Sequence, residues 1–290
     1  MSRKKILVTG GLGFVGSHLV DTLAEDKNNH VTVIDNLCSE SSSRTYMTSG
    51  VDYIIDDIRN LSNIKYVGME FDVIYHLAAL ARIQPSFKDP VRYLSVDMMG
   101  TSHVCDLARR CNAKLVYAGS SSAFGGPMLN PYAFAKYTGE QICEMFGKVY
   151  GLKCSIARFF NVYGDRQPVS GAYATVVGIF EGQYKLGIPL TITGNGKQRR
   201  DFTHVSDIVA GLIAMEDGQT EGNCELYQLG TGTNYSINEL ASFFECDVEY
   251  IPKRPGEAMV TLADNTKAQK VLGWSPQINL KDYIIKRKYL

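Results

Sequence analysis

The sequence predicts an α/β protein, a doubly wound parallel sheet followed by a smaller C-terminal α/β region. Three observations carry this. Apolar runs alternate with helix-like segments as far as Tyr163, a glycine-rich turn follows the first run, and beyond Tyr163 the alternation loosens into shorter segments richer in Gly and Pro.

The runs, in order, are KILVTG, HVTVID, VDYIIDD, FDVIYHLAA, KLVYAGSS and KCSIARFF. Near-continuous Val, Ile, Leu and Tyr suits strands covered on both faces, as parallel strands between two helical layers are. The clearest helical segments are Phe14 to Asp26, Val91 to Cys111 and Tyr132 to Tyr150. In such a sheet ligands bind beyond the carboxyl ends of the strands. The expected organisation is a Rossmann domain over residues 1–165 and a smaller unit over 166–290, with about 204–230 returning to the first.

Composition narrows the class. A chain of 290 residues, 45% hydrophobic, can bury a sizeable core. Its 30 basic and 30 acidic residues cancel, so no overall field recruits nucleic acid or an anionic membrane. The terminal KRKYL reads as a solvated tail. Seven cysteines, scattered and without a C-x-x-C pair, argue against a disulfide framework or zinc site and for a reducing compartment. MSRKKILVTGG lacks the apolar stretch of a signal peptide, and no run approaches the roughly 18 apolar residues of a membrane span. A cytoplasmic protein without metal, nucleic-acid or membrane partners is expected.

The first turn carries the first chemistry. KKILVTGGLGFVGSHLVDTLAED sets Gly10, Gly13 and Gly16 between a strand and an amphipathic helix. Glycines there let the backbone approach a pyrophosphate, whose charge meets the amide-rich helix start. Ordinary turns also use glycine, so the strand–turn–helix context gives the spacing its meaning. The second strand ends at Asp35, where a carboxylate accepts ribose hydroxyls and repels a 2′-phosphate, favouring NAD over NADP. Asp57, after the third run, is placed to reach the adenine. The small residues of HLAA, His76 to Ala79, let a dinucleotide pass closely.

Tyr132 and Lys136 are four apart at the start of a helical segment and share a face, so an ammonium can sit below the phenol. That charge and an oxidised nicotinamide would lower the phenol from its reference of about 10 toward neutrality, making a general base for an alcohol that loses hydride. Such pairs occur by chance in many helices. Here the pair follows the fifth strand, whose end carries Ser120, Ser121 and Ser122, on the face where the cofactor should lie. Serines at a strand end also make turns and caps, but one of these can relay the substrate proton.

With these residues in place, the chain resembles the extended short-chain dehydrogenase/reductases that act on nucleotide sugars, and among them the UDP-hexose 4-epimerases. VTGGLGFVGSHLV, VIDNL, DDIRN, HLAAL, GSSSAFG, PYAFAK, ARFFNVYG, QRRDFTHVSDI, KRPGE and KAQKVLGWSP occur in family order across almost the whole chain. The resemblance implies Ser120, Tyr132 and Lys136 as the catalytic set. It implies Phe14, Val15, Asn36, Ile58, Leu77, Ala78, Ala79 and Phe159 as further NAD contacts. Asn161 and Arg200 would hold the nucleotide diphosphate, Val176 and Thr191 would line the uridine pocket, Arg254 would contact phosphate, and Glu257 would lie near the ribose, with Ser121 and Ser122 beside the sugar. Guanidinium forks suit phosphate oxygens.

The reaction so implied begins when Tyr132, assisted through Ser120, takes the proton of a sugar 4-hydroxyl as C4 loses hydride. Rotation of the 4-keto sugar and return of hydride to its other face invert C4. Dehydratases of the family share the first step but typically carry Asp-Glu after the catalytic Ser/Thr; here those places are Ser121 and Ser122, which favours epimerisation. Decarboxylases usually have an acidic residue in this neighbourhood. A 4,6-dehydratase or other 4-keto-forming enzyme is the alternative, and a non-catalytic NAD-binding regulator fits less well with an intact Ser120, Tyr132 and Lys136. Helices over Val91 to Cys111 and Tyr132 to Tyr150 match those through which family members form dimers, so a homodimer is expected.

Three departures stand out. Ser120 and Tyr132 are only twelve apart, a shorter separation than the family usually shows. The ends can still meet, because an extended chain covers about 3.3 Å per residue; a loop over the sugar pocket is expected to be lost. Asp97 stands where the family generally has asparagine, and the short C-terminus predicts a truncated last helix.

Overall fold

The computed structural model describes residues 3–39, 42–63, 66, 68–217 and 224–288. The six apolar runs form six strands: β1 (Lys4–Thr9), β2 (Asn29–Asp35), β3 (Asp52–Ile55), β4 (Val73–His76), β5 (Lys114–Ser120) and β6 (Cys154–Phe159). They lie in the order β3-β2-β1-β4-β5-β6, with Cys224–Leu229 as a seventh strand beside β6. Every pairing in this sheet is parallel. The chain leaves β1 toward β2 on one side and enters β4 on the other, which opens a crevice at their carboxyl ends.

Strand periodicity divides the core. Ile6 and Val8 of β1 point to one face, where they meet Leu19, Val20 and Leu23 of α1 (Phe14–Glu25) and Ile208, Leu212 and Met215 of the helix Val205–Asp217. Leu7 points to the other face, with Ile74, Leu115 and Ile156, against helices closer to the middle of the chain. Burying each such side chain stabilises the fold by about 1.5–3 kcal/mol.

Those helices position the site. After α2 (Ile83–Lys88), Asp89 caps α3 (Pro90–Leu94), accepting from Arg92 N at 3.2 Å with Pro90 in the first turn. A π-helical turn, Ser95–Met99, then joins α3 to α4 (Gly100–Cys111) and turns Asp97 inward to full burial. After β5, α5 (Pro131–Tyr150), which packs beside α4, starts at Asn130, whose Oδ1 accepts from Ala133 N at 2.7 Å and whose Nδ2 donates to Gly256 O at 3.0 Å. The short connection between β5 and α5 folds as two 3-10 turns, Ser121–Gly125 and Pro127–Leu129.

The second region has its own core, in which Val177, Phe180, Leu190, Ile192, Phe202, Leu240 and Phe244 pack together, joined by Leu280 and Ile284 of the helix Leu280–Lys288. It is held by two-stranded pairings, Val248–Ile251 parallel to Leu190–Thr193 and Asn234–Ser236 antiparallel to Arg199–Asp201. Helix Val205–Asp217 and strand Cys224–Leu229 join the first sheet; of the expected return segment, residues 218–223 lie outside the described residues, as do the last two of the basic tail. Among the described residues no helix is long and apolar enough to cross a membrane.

Candidate active site

One cavity of about 800 Å³ runs from the glycine turn, across the ends of β4 and β5, to the second region. At its first end the walls are backbone. Gly10, at φ +75°, leaves no space for a side chain: an added Cβ would stand 2.7 Å from Ala78 N, and one on Gly16 would collide with Gly10 O. Gly13 differs, since nothing but Gly10 O and a serine hydroxyl comes within 4 Å of its Cβ position. The turn is therefore packed tight against the sheet on one side and bare toward the cavity on the other, a cradle that fits a pyrophosphate at the start of α1.

Asp35 closes this end. Its carboxylate accepts from Leu12 N at 3.0 Å and Leu37 N at 2.8 Å, so the glycine turn and the following loop hold it in place. Burial raises its pKa, and those two amide bonds oppose the rise. Phe14, Val15, Asn36, Ile58, Leu77, Ala78, Ala79 and Phe159 also line the cavity. Asp57 does not. Its carboxylate is occupied by Arg59, through Nε and Nη2 at 2.9 Å each, and by Asn36 Nδ2 at 3.0 Å, and the charged fork lowers its pKa. Its neighbour Asp56 lines the cavity in its stead. The sequence carries two adjacent carboxylates with no mark of which one turns inward.

His76, at the end of β4, is structural. Its ring bonds Thr9 Oγ1 at 2.8 Å and Thr101 Oγ1 at 3.1 Å, and burial drives its pKa down to about 3, so the ring is neutral.

At the centre, the Tyr132 hydroxyl donates to Ser120 Oγ at 3.3 Å. The short connection thus brings the pair together despite its length. Ser120 Oγ also accepts from Ser122 N at 3.1 Å, while Ser122 Oγ is buried without a partner among the described residues.

The charges around this pair depart from the expected arrangement. Burial raises the Tyr132 pKa; the Ser120 bond and the Arg82 guanidinium lower it, and Asp97 raises it. Burial outweighs the chain's own cations, so the protein by itself holds the Tyr132 pKa above the ordinary phenol value; the lowering expected of Tyr132 includes the charge of an oxidised nicotinamide. Lys136 is buried with its Nζ 4.3 Å from the centre of the Tyr117 ring. Burial lowers its pKa, and Asp97 and Glu140 sustain its charge. Asp97 accepts from Leu80 N at 2.8 Å; burial pushes it up to about 7 against the pull of Lys136. Sequence reasoning flagged Asp97 but missed Arg82, which follows HLAAL with no recognisable motif.

At the far end, Arg200 lies mostly buried with its Nη2 3.5 Å from Glu257 Oε2. Burial lowers its pKa and Glu257 opposes that. Asn161 donates to Asp201 O at 3.0 Å, and Thr191 exchanges two bonds with the Gln183 amide. Val176 starts the helix Val176–Lys185, capped by Thr175. These residues and the exposed Arg254 share the cavity with Ser120 and Tyr132.

Residues 6–230 match the model of the NAD-dependent epimerase/dehydratase family. The chain belongs to that family. NAD is its cofactor, in keeping with the glycine cradle and Asp35. Among relatives of this epimerase/dehydratase, a putative UDP-glucose 4-epimerase of Methanocaldococcus jannaschii is 33% identical, covering 96% of this chain and 95% of its own. UDP-glucuronic acid decarboxylase 6 of Arabidopsis thaliana is 30% identical over 97% of this chain and 87% of its own. In three dimensions the epimerase/dehydratase is similar to UDP-glucose 4-epimerase from Thermotoga maritima with UDP-glucose, at TM-score 0.91 and 28% identity, covering 98% of this chain and 97% of that one. It is also similar to UDP-glucuronic acid 4-epimerase from Bacillus cereus with UDP-glucuronic acid and NAD, at TM-score 0.88 and 28% identity over 98% of each.

Proposed function

We propose that this chain is an NAD-dependent 4-epimerase of a nucleotide sugar, a UDP-hexose, with Ser120, Tyr132 and Lys136 as its catalytic residues. The observation that carries the reading is the 3.3 Å bond between Tyr132 and Ser120 midway along a cavity with a dinucleotide cradle at one end and Arg200 at the other. In its support, solved 4-epimerases of similar fold hold UDP-sugars. Residues 1–165 bind the cofactor in this reading, and residues 166–290 hold the nucleotide sugar.

NAD supplies the hydride acceptor and donor, and an added positive charge. Tyr132 removes the proton of the 4-hydroxyl, and Ser120 shares that proton through the bond already present. Arg200 and Arg254 bind the diphosphate, Asn161 helps to orient it, and Val176 and Thr191 flank the uracil with Glu257 toward the ribose. Ser121 and the unpartnered Ser122 hydroxyl face the sugar. The 4-keto sugar turns while the diphosphate stays anchored, and Tyr132 returns the proton.

Dehydration is disfavoured by the position of the acids. Among the described residues the carboxylates lining the cavity are Asp35, Asp56 and Glu257. Asp35 belongs to the cradle, Asp56 follows β3 and accepts from Asn60 Nδ2 at 2.7 Å and the Tyr66 hydroxyl at 2.6 Å, and Glu257 pairs with Arg200, so none of the three flanks Ser120 to protonate a departing hydroxyl. Incubation with a panel of UDP-hexoses, followed by NMR, tests the reading. A C4 diastereomer formed without added NADH supports it; a 4-keto-6-deoxy product, or no change in any sugar, overturns it.

We also infer a cytoplasmic homodimer. Met99, Met145, Val149 and Tyr150, on or beside α4 and α5, are exposed apolar side chains that a second copy would cover. Sedimentation of a monomer at micromolar concentration would refute this.

A further inference from the structure

We infer that Arg158 is a positioning residue for Ser120: clamped by Glu140 of α5 and carrying the ring of Phe124, it fixes the short turn that Ser120 caps, and so holds the Ser120 hydroxyl within reach of Tyr132. This rests on the reading of Ser120 and Tyr132 as partners in the proton transfer.

The clamp begins in the sheet. Arg158 pairs with Gly119 in the parallel register of β5 and β6, one residue before Ser120 pairs with Phe159. From there its guanidinium meets Glu140 as a two-pronged fork: Nε donates to Oε1 at 3.0 Å and Nη2 donates to Oε2. A planar fork fixes orientation as well as distance. The Glu140 side chain is 1% exposed and that of Arg158 19%, so water competes little for the pair. Glu140 fits there because position 119 is glycine: a Cβ would stand 2.7 Å from Glu140 Oε1. The carboxylate thus lies against the backbone of the residue that precedes Ser120. Along α5, Glu140 is about one turn beyond Lys136 and two beyond Tyr132. The strand end that bears Ser120 and the helix that bears Tyr132 therefore share one anchor.

The same guanidinium reaches the connection. Its Cζ lies 5.7 Å from the centre of the Phe124 ring, and that ring also packs edge-on against the fully buried Phe160, with ring centres 5.2 Å apart. Phe124 belongs to the 3-10 turn Ser121–Gly125, which Ser120 caps: Ser120 Oγ accepts from Ser122 N at 3.1 Å and from the Tyr132 hydroxyl at 3.3 Å. One oxygen both ends the turn and meets the phenol, so a displaced turn moves the reactive contact. With Ser120 and Tyr132 only twelve residues apart, little chain is left to hold that turn, and its aromatic side chain is pinned by Arg158 and Phe160 instead. Glu140, Arg158 and Phe124 do not line the cavity, so they act through Ser120 and not on the sugar.

Double-mutant cycles against Ser120→Ala test this. Phe124→Ala removes a partly exposed ring and should fold; Arg158→Met combined with Glu140→Leu removes both charges at once, so neither is stranded in the interior. Each should lower kcat for epimerisation of a UDP-hexose about tenfold, with KM for the sugar nucleotide and the affinity for NAD within about twofold of wild type, measured well below the melting temperature. Phe124→Tyr keeps the ring and should keep the wild-type kcat. In a Ser120→Ala background the same changes should cost less than about twofold further, since the group that they place is gone. An unchanged kcat in Phe124→Ala, or an equal loss with and without Ser120, would overturn the inference while leaving the catalytic reading intact. Near-normal turnover in Ser120→Ala would instead overturn the reading of Ser120 itself, and the inference with it.

Discussion

The two ends of the cavity are built differently. At the cofactor end the surface is mainly backbone, from one turn whose glycines lie within seven residues of chain, Gly10 to Gly16, and the side chain that matters most, Asp35, is tied by amide bonds to that same turn. At the sugar end the surface is side chains delivered by separate elements: Ser120 from β5, Tyr132 from α5, Arg82 from before α2, and Arg200 and Glu257 from the second region. A backbone cradle needs only local geometry. A site of converging side chains needs the whole fold, and each member feels charges contributed by the others.

This contrast predicts separable losses. The largest belongs to the centre: Tyr132→Phe should retain NAD and lower turnover by about 10³-fold, as measured by NMR of a UDP-hexose; near-normal turnover would remove Tyr132 from the chemistry. Next comes Asp97. Its folded pKa of about 7 exceeds the ordinary carboxylate value of 3.8, so between those pH values the native state holds a proton that the unfolded chain has released. Its contribution to stability therefore falls as pH rises from about 4 to about 7 and is flat above. Asp97→Asn should abolish this slope and gain a few kcal/mol over wild type at pH 8 in urea unfolding. A difference that does not grow with pH would contradict the account.

Smaller effects should divide along the cavity. Arg200→Ala should raise KM for the UDP-sugar roughly 10- to 100-fold and leave NAD affinity unchanged, because a guanidinium–phosphate pair is lost at one end only. Asp35→Ser should do the reverse, weakening NAD about tenfold and narrowing its advantage over NADP. Calorimetric titration of each ligand with each variant measures both. If either substitution disturbed both ligands equally, the two ends would not be independently built.

What was legible followed the same division. The glycine spacing, Asp35 at a strand end and the Tyr132–Lys136 pair are patterns within single elements or adjoining ones, and each lies where its pattern placed it. Asp57 lies off the cavity lining while Asp56 is on it: both carboxylates follow β3, and the side-chain fork of Arg59, with Asn36, holds the second one. Sharing a helix face with Tyr132 did not reveal that Lys136 would be buried with its Nζ 4.3 Å from the centre of the Tyr117 ring, or that a π-helical turn would bring Asp97 inward. The place of Arg82 in the cavity wall carried no signal, since its positive φ and its bond to Tyr173, 91 residues away in the chain, arise only in the fold.

Alternating apolar periods and turn chemistry are short-range properties, so the amino-acid order alone determined the parallel sheet, its glycine cradle and the residues that end its strands. Which buried charges stand beside the Tyr132 oxygen was decided only by tertiary structure. Electrostatic interaction depends on distances in space and on exclusion of water, and neither exists until the helices have closed over the sheet.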